Sequence, residues 1–247
     1  MIYIKKTQPP PQLDVFIESE KQSIADNYSE AQRQDKYPSF GSLKTEQKDI
    51  LRTHLYKEQR GLCCYCMRVF DEKKISETKI EHFLPESAFL ENQTDYFNLY
   101  LACHDIHGKS IKEQNCDTHK GDYLIPKFIG FYNRRTNQKC EDFFQYNSLG
   151  EILPKGSRKS YDKFCNQFKD LSLIEKSALI AIDVLNLNVN TLKAERKDFI
   201  DNLLKIIEKA PKENLIKMKE AYEKDFGRKF AGIVIYFVKG KLNELGN

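Results

Sequence analysis

No stretch of this sequence is apolar for long enough to cross a membrane. The longest apolar run, AGIVIYFV at 231–238, has eight residues, whereas a membrane-spanning helix needs about 20. The N-terminal stretch MIYIKKTQPPPQLD lacks an apolar core followed by a small-residue cleavage site, so we expect no secretory signal. Internal repeats and low-complexity tracts are missing as well. The expectation is a cytoplasmic protein without membrane contact.

Neither sign of charge dominates. The chain has 40 basic and 36 acidic residues, which gives a formal net charge of +4. This mild excess points weakly to a nucleic-acid partner, and a solvated surface of mixed charge would give the same balance. With 247 residues, 40% of them hydrophobic, the chain can bury a substantial core in one large domain or two small ones.

Cysteine is scarce, and it is clustered. Three of the seven cysteines fall in RGLCCYCMRVF at 60–70, and an odd number of cysteines in a reducing compartment argues against a disulfide framework. Cys63-x-x-Cys66 is followed by 36 residues and Cys103, and then by 12 residues and Cys116. Two loops that each present a pair of thiolates can close a tetrahedral zinc site. The spacing therefore predicts a structural zinc ion held by these four cysteines.

Alternatives stay open in the same region. His104 or His107 could replace Cys103 as a ligand, or the first cysteines could simply pack in a core. Cys64, between the first two ligands, is expected to point away from the metal. Two further cysteines have no partner in spacing and are expected to be buried hydrophobic residues: Cys140 and Cys165.

Helical spacing of apolar residues predicts two helices before the cysteines. They cover about 13–33 and 45–60, and Gly61 is suited to end the second. QPPPQ at 8–12 is interpreted as a stiff spacer that detaches the first residues from the rest of the chain. His54, beside the apolar face of the second helix, is interpreted as a half-buried histidine rather than a ligand.

The C-terminal third also has the spacing of helices. Ser172 with Glu175 forms a capping box that opens one helix, and Pro211 ends a later one. The run at 231–238 is interpreted as a buried helix, with a strand as the alternative. Before these helices, two apolar runs flank 147–150, which predicts a β-hairpin.

Between the two cysteine pairs the sequence predicts two strands and a short helix. KIEHFLP at 79–85 and FNLYLAC at 97–103 have the composition of strands, and a helix is expected to open near Cys116. The cysteine pairs therefore bracket a strand, strand and helix arrangement.

Polar residues of chemical interest lie on these three elements. Glu81 and His82 fall near the end of the first strand, Asn98 begins the second, and Asp117 and His119 open the helix. Neighbouring residues of a strand point to opposite faces, so a carboxylate can bind a divalent cation while the adjacent imidazole faces a water. This is the minimum equipment for one-metal hydrolysis of a phosphodiester. Each of these residues is weak evidence for a catalytic site when taken alone. Their order along the chain, between the two cysteine pairs, strengthens the interpretation.

In that order, the segments CCYC, KIEHFLPES, FNLYLAC and CDTHKG resemble the HNH endonuclease family, over about residues 61–126. The resemblance implies a ββα-metal fold with a four-cysteine zinc knuckle. Further along, FFQYNSLGEILP and VLNLNVNTLKAER resemble one branch of that family. Its members work with an ABC/SMC-like ATPase in Septu-type and retron-associated anti-phage defence.

The resemblance implies a role for each motif residue. His82 would be the general base, and Glu81 and Asp117 would bind the catalytic ion, with His119 as a reserve ligand. Asn98 would hold the loop and orient His82 by hydrogen bonding. Glu81 stands where Asp is commoner, and Asp117 replaces the usual Asn or His, which favours Mg²⁺ or Mn²⁺.

A nucleic-acid surface is expected directly after the motif. Basic residues there alternate with aromatic ones, which suits a phosphate backbone and unpaired bases, although a loop pinned by its aromatics would have the same composition. The expected contacts, with DNA preferred over RNA, are Lys120, Lys127, Arg134, Arg135 and Lys139. For Lys120 the alternative is a solvated lysine at a helix end.

Taken together, the sequence predicts an α+β, mostly helical protein with a central zinc-stapled module. The expected regions are an N-terminal extension, the nuclease core, a basic loop with a hairpin, and helices that dock a partner: 1–60, 61–126, 127–165 and 166–247. The resemblance implies an ATPase partner, with a retron reverse transcriptase and its DNA as further candidates, and Arg196 is expected in an ion pair or a partner contact. A binding module that does not cut nucleic acid, or a purely structural docking protein, are the alternative functions.

Overall fold

The computed structural model describes residues 1, 4–33, 35–104, 110–126, 132–133, 138–156, 168–224 and 228–246. Over these residues the protein is α+β and mostly helical, as predicted. The α-helices are α1 (Pro11–Asn27), α2 (Glu30–Arg33), α3 (Thr45–Glu58), α4 (Cys116–Lys120), α5 (Leu173–Val184), α6 (Asn190–Lys209), α7 (Lys212–Lys224) and α8 (Ala231–Gly246). None of the described helices is both long and apolar enough to cross a bilayer.

The strands form three antiparallel pairs in the described part of the chain. They are β1 (Lys79–His82) with β2 (Leu99–Ala102), β3 (Tyr132–Asn133) with β4 (Gln138–Lys139), and β5 (Phe144–Tyr146) with β6 (Ile152–Pro154). In the first pair Glu81 lies opposite Tyr100 and His82 opposite Leu99. Both strands are shorter than the sequence predicts, and Asn98 precedes β2 in a 3₁₀ turn. The order β1, β2, α4 is present, and its assignment to a ββα-metal module stays a prediction.

The N-terminal helices and the first strand pair share one hydrophobic core. Leu51 and Leu55 of α3 pack with Leu13 of α1 and with Ile80 and Leu101 of the strands. The sequence prediction of α3 is confirmed, and Gly61 follows its end at φ +73°. Because α3 covers the strands, their apolar side chains are buried. Strand β1, which contains Glu81 and His82, is therefore packed against the helix.

A second, larger core joins the cysteine region to the C-terminal helices. The Ser172 side chain accepts a hydrogen bond from the backbone N–H of Glu175, so the predicted capping box is confirmed. The apolar run at 231–238 lies inside α8, which confirms a helix and excludes the strand alternative. Phe230 N donates to Met67 O at 3.1 Å, which ties the start of α8 to the cysteine turn.

The segment LNLN at 185–188 connects three parts of this core. Leu185 O accepts from Cys116 N at 2.9 Å, at the start of α4, and Asn186 Nδ2 donates to Gln114 O. Asn188 holds the backbone of Ile152 in β6 through both atoms of its amide. This segment, which the sequence analysis used only for the family resemblance, therefore positions both α4 and the hairpin.

The structure corrects two expectations about packing. Met1 and Ile4 are 1% and 3% exposed and belong to the larger core, so the QPPPQ segment does not detach the first residues. Arg196 is 2% exposed, and its guanidinium donates to the backbone oxygens of Gly150 and Leu187. Among the described residues Arg196 makes no ion pair, and its burial leaves no surface for the partner contact that we expected, because backbone carbonyls satisfy the guanidinium inside the core.

Candidate metal and catalytic sites

A tight turn presents the first two cysteines of the predicted zinc site. Cys63 N donates to Arg68 O at 2.9 Å, and Met67 N donates to Cys63 O at 3.1 Å. Met67 has a positive φ of +62°. A residue other than glycine adopts this backbone conformation only when its surroundings stabilise it. Here that support is burial, because Met67 is 1% exposed in the larger core.

Four thiols from three separate segments converge on one point. The Sγ atoms of Cys63, Cys66, Cys103 and Cys116 all lie within 4.8 Å of one another. The Cys63–Cys116 and Cys66–Cys103 Sγ distances are 3.7 Å and 3.5 Å, close to the ~3.8 Å edge of a tetrahedron with zinc–sulfur bonds of about 2.3 Å. The four cysteines of the predicted set lie together, and the cluster is compatible with a structural zinc ion.

The structure decides some of the alternatives that the sequence left open for the histidines and the other cysteines. Cys103 is one of the four converging ligands, so His104 does not take its place. Cys64 is fully buried and is not one of the four, as expected, and Cys140 is likewise buried. His107 and Cys165 lie outside the described residues.

Glu81, which is 1% exposed, lies at the centre of a polar cluster formed by β1, α4 and Tyr65. Its Oε1 accepts from the Tyr65 hydroxyl at 2.7 Å and lies 2.8 Å from the Lys120 ammonium. Asp117 Oδ2 lies 2.6 Å from Lys79 Nζ. The cluster therefore joins β1 to α4 through two carboxylates and two lysines.

The two carboxyl groups respond differently to this environment. Burial, and then the neighbouring Asp117 carboxylate, raise the pKa of Glu81, and Lys120 offsets part of the effect. Burial alone would raise the pKa of Asp117, but its contacts with Glu81 and Lys79 outweigh burial and lower it. An ionised carboxylate thus lies beside a second carboxyl group, as in a site for a hard cation.

His82 is held in one tautomer by the backbone. Its Nε2 lies 2.8 Å from Gln93 O, and a carbonyl only accepts, so Nε2 carries the proton and Nδ1 has the lone pair. Nδ1 lies 3.6 Å from a carboxylate oxygen of Glu86, and both residues line the same cleft. Burial lowers the pKa of His82 below its ordinary value, which keeps the imidazole neutral at neutral pH.

Asn98 holds the loop that contains Gln93, whose carbonyl orients His82. Its Oδ1 accepts from Leu84 N at 2.7 Å, and its Nδ2 donates to Leu84 O and Asn92 O. The prediction that Asn98 holds the loop agrees with these bonds. The hydrogen bond that orients His82 is the one that its Nε2 donates to Gln93 O, so Asn98 acts on His82 through the loop and not directly.

Glu81, His82 and Asp117 open on one cleft of about 340 Å³. Its other lining residues are Phe40, Lys48, Arg52, Lys79, Ile80, Pro85, Glu86, Lys120, Gly121 and Asp122. Sequence reasoning missed Lys48 and Arg52 of α3, although their i, i+4 spacing places them on one face of that helix. They belong to the N-terminal extension, far in sequence from the motif residues.

The other predicted site residues differ in where the structure places them. Among the described residues, the four cysteines are the only close group of three or more metal-binding side chains, so His119 does not join Glu81 and Asp117; its Nδ1 lies 3.0 Å from Val184 O. Lys120 is 1% exposed, which excludes the solvated alternative, and its contact with phosphate stays a prediction. Lys139 is exposed. Three basic positions lie outside the described residues: Lys127, Arg134 and Arg135.

Comparison with known proteins agrees with the motifs. The similarity supports an HNH endonuclease family associated with retrons, as predicted. "Retron Vc95 putative HNH endonuclease" of Vibrio cholerae serotype O1 biovar El Tor is 27% identical over 186 residues, which cover 74% of this chain and 78% of that protein. "Retron Ec83 putative HNH endonuclease" of Escherichia coli is 25% identical over 177 residues, 61% of this chain and 64% of that protein. No family model matches the chain.

Proposed function

We propose that this protein is a metal-dependent HNH endonuclease that hydrolyses phosphodiester bonds of nucleic acid, with DNA as the preferred substrate. The observation that carries the proposal is the single cleft of about 340 Å³ that His82, Glu81 and Asp117 line together, with His82 Nε2 held by Gln93 O. A neutral base next to two oxygen ligands is the combination that phosphodiester hydrolysis needs.

The donor set of the cleft suits a hard divalent ion. Asp117 Oδ2 is buried and, among the described residues, receives no hydrogen bond of good geometry, although the Lys79 ammonium is close to it. Glu81 and Asp117 would hold Mg²⁺ or Mn²⁺, which would supply positive charge for the phosphate.

The residues of the chain itself perform the remaining tasks. His82 Nδ1 accepts the proton of the attacking water, and Gln93 O keeps the imidazole in the required tautomer. Asn98 keeps the supporting loop in place. Lys120 donates to His82 O at 2.9 Å and contacts Glu81, so one ammonium positions both neighbouring residues of the site.

The cellular role is inferred from the resemblance and the relatives. We propose that the chain is the nuclease of an anti-phage defence complex, paired with an ABC/SMC-like ATPase and, given the two retron relatives, with a retron reverse transcriptase and its DNA. The C-terminal helices are proposed to dock the ATPase. Co-purification of the chain with a candidate ABC/SMC-like ATPase tests this, and a chain that stays monomeric in the presence of that ATPase would argue against the complex.

The nuclease proposal is tested by cleavage of plasmid DNA, single-stranded DNA and total RNA, with and without Mg²⁺ or Mn²⁺. Wild type is expected to cut one of these only with the divalent ion, and His82→Ala is expected to reduce the rate by a factor of about 10² to 10⁴, because it loses its base. His54→Ala is the matched control, since His54 lies on α3 outside the cleft and its loss is expected to leave the rate unchanged.

Two results would count against the proposal. Cleavage by His82→Ala at the rate of the His54→Ala control would remove His82 from the mechanism. A complex assembled with its ATPase and retron DNA that cuts no nucleic acid would favour a binding module.

A further inference from the structure

Helix α3 contributes two basic residues to the lining of the cleft. Lys48 and Arg52 of that helix line the cleft together with His82 and Asp117. Both basic side chains are half-buried, so their charges are less screened by water than those of fully exposed side chains. Neither residue belongs to the motif at 61–126.

The charges that line the cleft differ in how they are balanced. Lys120 is paired with Glu81 and Lys79 with Asp117. Arg52 Nη1 lies 2.6 Å from Asp49 Oδ1, and Arg52 Nε donates to Thr78 O at 3.3 Å. The guanidinium is therefore held in a fixed orientation and keeps further donors for an incoming acceptor.

Lys48 has no carboxylate partner among the described residues. Its ammonium lies 5.3 Å from the ring centre of Phe40, and the Phe40 ring meets the His82 imidazole edge to face, with centres 4.7 Å apart. Phe40 thus places an uncompensated cation one aromatic ring away from the proposed base. A half-buried cation without a counter-ion, next to a hydrolytic site, is suited to bind an anion of the substrate.

From this arrangement we infer that Lys48 and Arg52 form a phosphate-binding wall, which holds the nucleic-acid backbone beside the phosphodiester that is cut. The inference rests on the proposed function and extends it, because it makes α3 part of the substrate site. The ligand is the phosphodiester backbone itself, so binding depends on charge and not on base sequence.

The test measures binding separately from cleavage. In a His82→Ala background, which prevents cutting, fluorescence anisotropy measures the binding of labelled duplex DNA, single-stranded DNA and RNA of one sequence across a salt titration. Lys48→Ala is expected to weaken binding and to reduce the slope of log K against log salt by about 0.9 on duplex DNA, or about 0.7 on a single strand. Lys48→Arg is expected to restore the slope, because it keeps the charge.

Lys57→Ala is the matched control. Lys57 lies on α3 but lines a different hollow, with Pro10 and His54, and the change removes the same charge from the same helix. Lys57→Ala is expected to keep the parent slope. Equal slopes for Lys48→Ala and Lys57→Ala would overturn the phosphate-binding wall while leaving the nuclease proposal intact.

Two further outcomes separate the inference from the function. A parent protein that binds none of the three nucleic acids would overturn both. Binding that depends on Lys48, in a wild-type protein that cuts nothing either alone or in the proposed complex, would support the wall and contradict the nuclease.

Discussion

At the scale of single residues, the ion pair between Glu81 and Lys120 holds the proposed site in place. Both side chains are almost fully buried, and the Lys120 ammonium also donates to His82 O. Two ionisable groups leave water only if each satisfies the other and the remaining hydrogen bonds are made. Lys120 therefore holds the backbone of the proposed base and the side chain of the proposed ligand in one geometry.

Replacing Lys120 with Met is expected to destabilise the protein by about 3 kcal/mol, because Glu81 is left buried without its cation. Urea denaturation monitored by circular dichroism measures this. The double variant Glu81→Gln with Lys120→Met is expected to regain part of the loss, since no carboxylate is then left unpaired. Equal stability of the single and double variants would contradict the pairing.

The burial of Lys6 is expected to make the stability of the chain depend on pH. Burial lowers the pKa of Lys6 to about 8, although Glu58 lies only 2.9 Å away. The unfolded chain has the ordinary lysine value of 10.5, so between these values the unfolded state binds more protons, and stability rises with pH. The free energy of unfolding of wild type relative to Lys6→Met is expected to rise by about 3 kcal/mol between pH 8 and 10.5. A flat difference across that range would contradict the burial of a charged Lys6.

At the scale of elements, the β5–β6 hairpin packs against α6 through a glycine. Gly150 has a φ of +76°, and a Cβ there would lie 2.2 Å from Lys193 O. The carbonyl of the same residue accepts from Arg196 Nε at 2.7 Å. The tip of the hairpin therefore lies so close to α6 that position 150 has no room for a side chain.

Gly150→Ala is expected to destabilise the protein by more than the roughly 1–3 kcal/mol that a strained backbone conformation alone costs. Gly156→Ala is the control, because Gly156 also has a positive φ, of +90°, but a Cβ there would meet nothing within 4 Å. Thermal unfolding of the two variants compares them directly. A Gly156→Ala protein that is as unstable as Gly150→Ala would show that strain, and not the close approach, sets the cost.

The elements that sequence reasoning predicted well are those with a strong local signal. Capping at Ser172, the turn at 147–150 and the apolar spacing of α3 depend on neighbouring residues, and the structure confirms each. The cysteine set was also predictable, because a metal site needs a fixed number of ligands with one chemistry.

The features that sequence reasoning missed depend on contacts between distant segments. Nothing near Arg196 indicates that its partners are the carbonyls of Gly150 and Leu187, and nothing near His82 indicates that Gln93 O orients it. The contribution of Lys48 to the cleft is of the same kind. Backbone carbonyls and surfaces formed by separate elements have no sequence signature, so only the folded chain shows them.

At the scale of the whole molecule, the cysteine cluster ties three segments that are otherwise far apart in sequence. Cys63 and Cys66 come from the turn after α3, Cys103 lies directly after β2, and Cys116 opens α4. A metal at this point would fix α4, and with it Asp117 and Lys120, relative to β1. Removal of the metal is therefore expected to affect the cleft as well as the cluster.

Treatment with a zinc chelator is expected to lower the melting temperature and to increase hydrogen exchange in α4 and β2. The same loss is expected from Cys63→Ser without chelator. Cys140→Ser is the control, because Cys140 is buried outside the cluster and its replacement leaves the metal ligands in place. Unchanged exchange in α4 after complete removal of zinc would contradict a role for the metal in holding the helix.

The measurement that tests the central claim most directly uses two adjacent residues of α4, Cys116 and Asp117. The claim is that a structural zinc and a catalytic divalent ion occupy separate sites, with one of these residues in each. Asp117→Asn is predicted to keep about one zinc per chain by elemental analysis and to lose cleavage that depends on Mg²⁺ or Mn²⁺, whereas Cys116→Ser is predicted to lose the zinc. An Asp117→Asn protein that loses its zinc, or that cuts nucleic acid at the wild-type rate, would contradict the account.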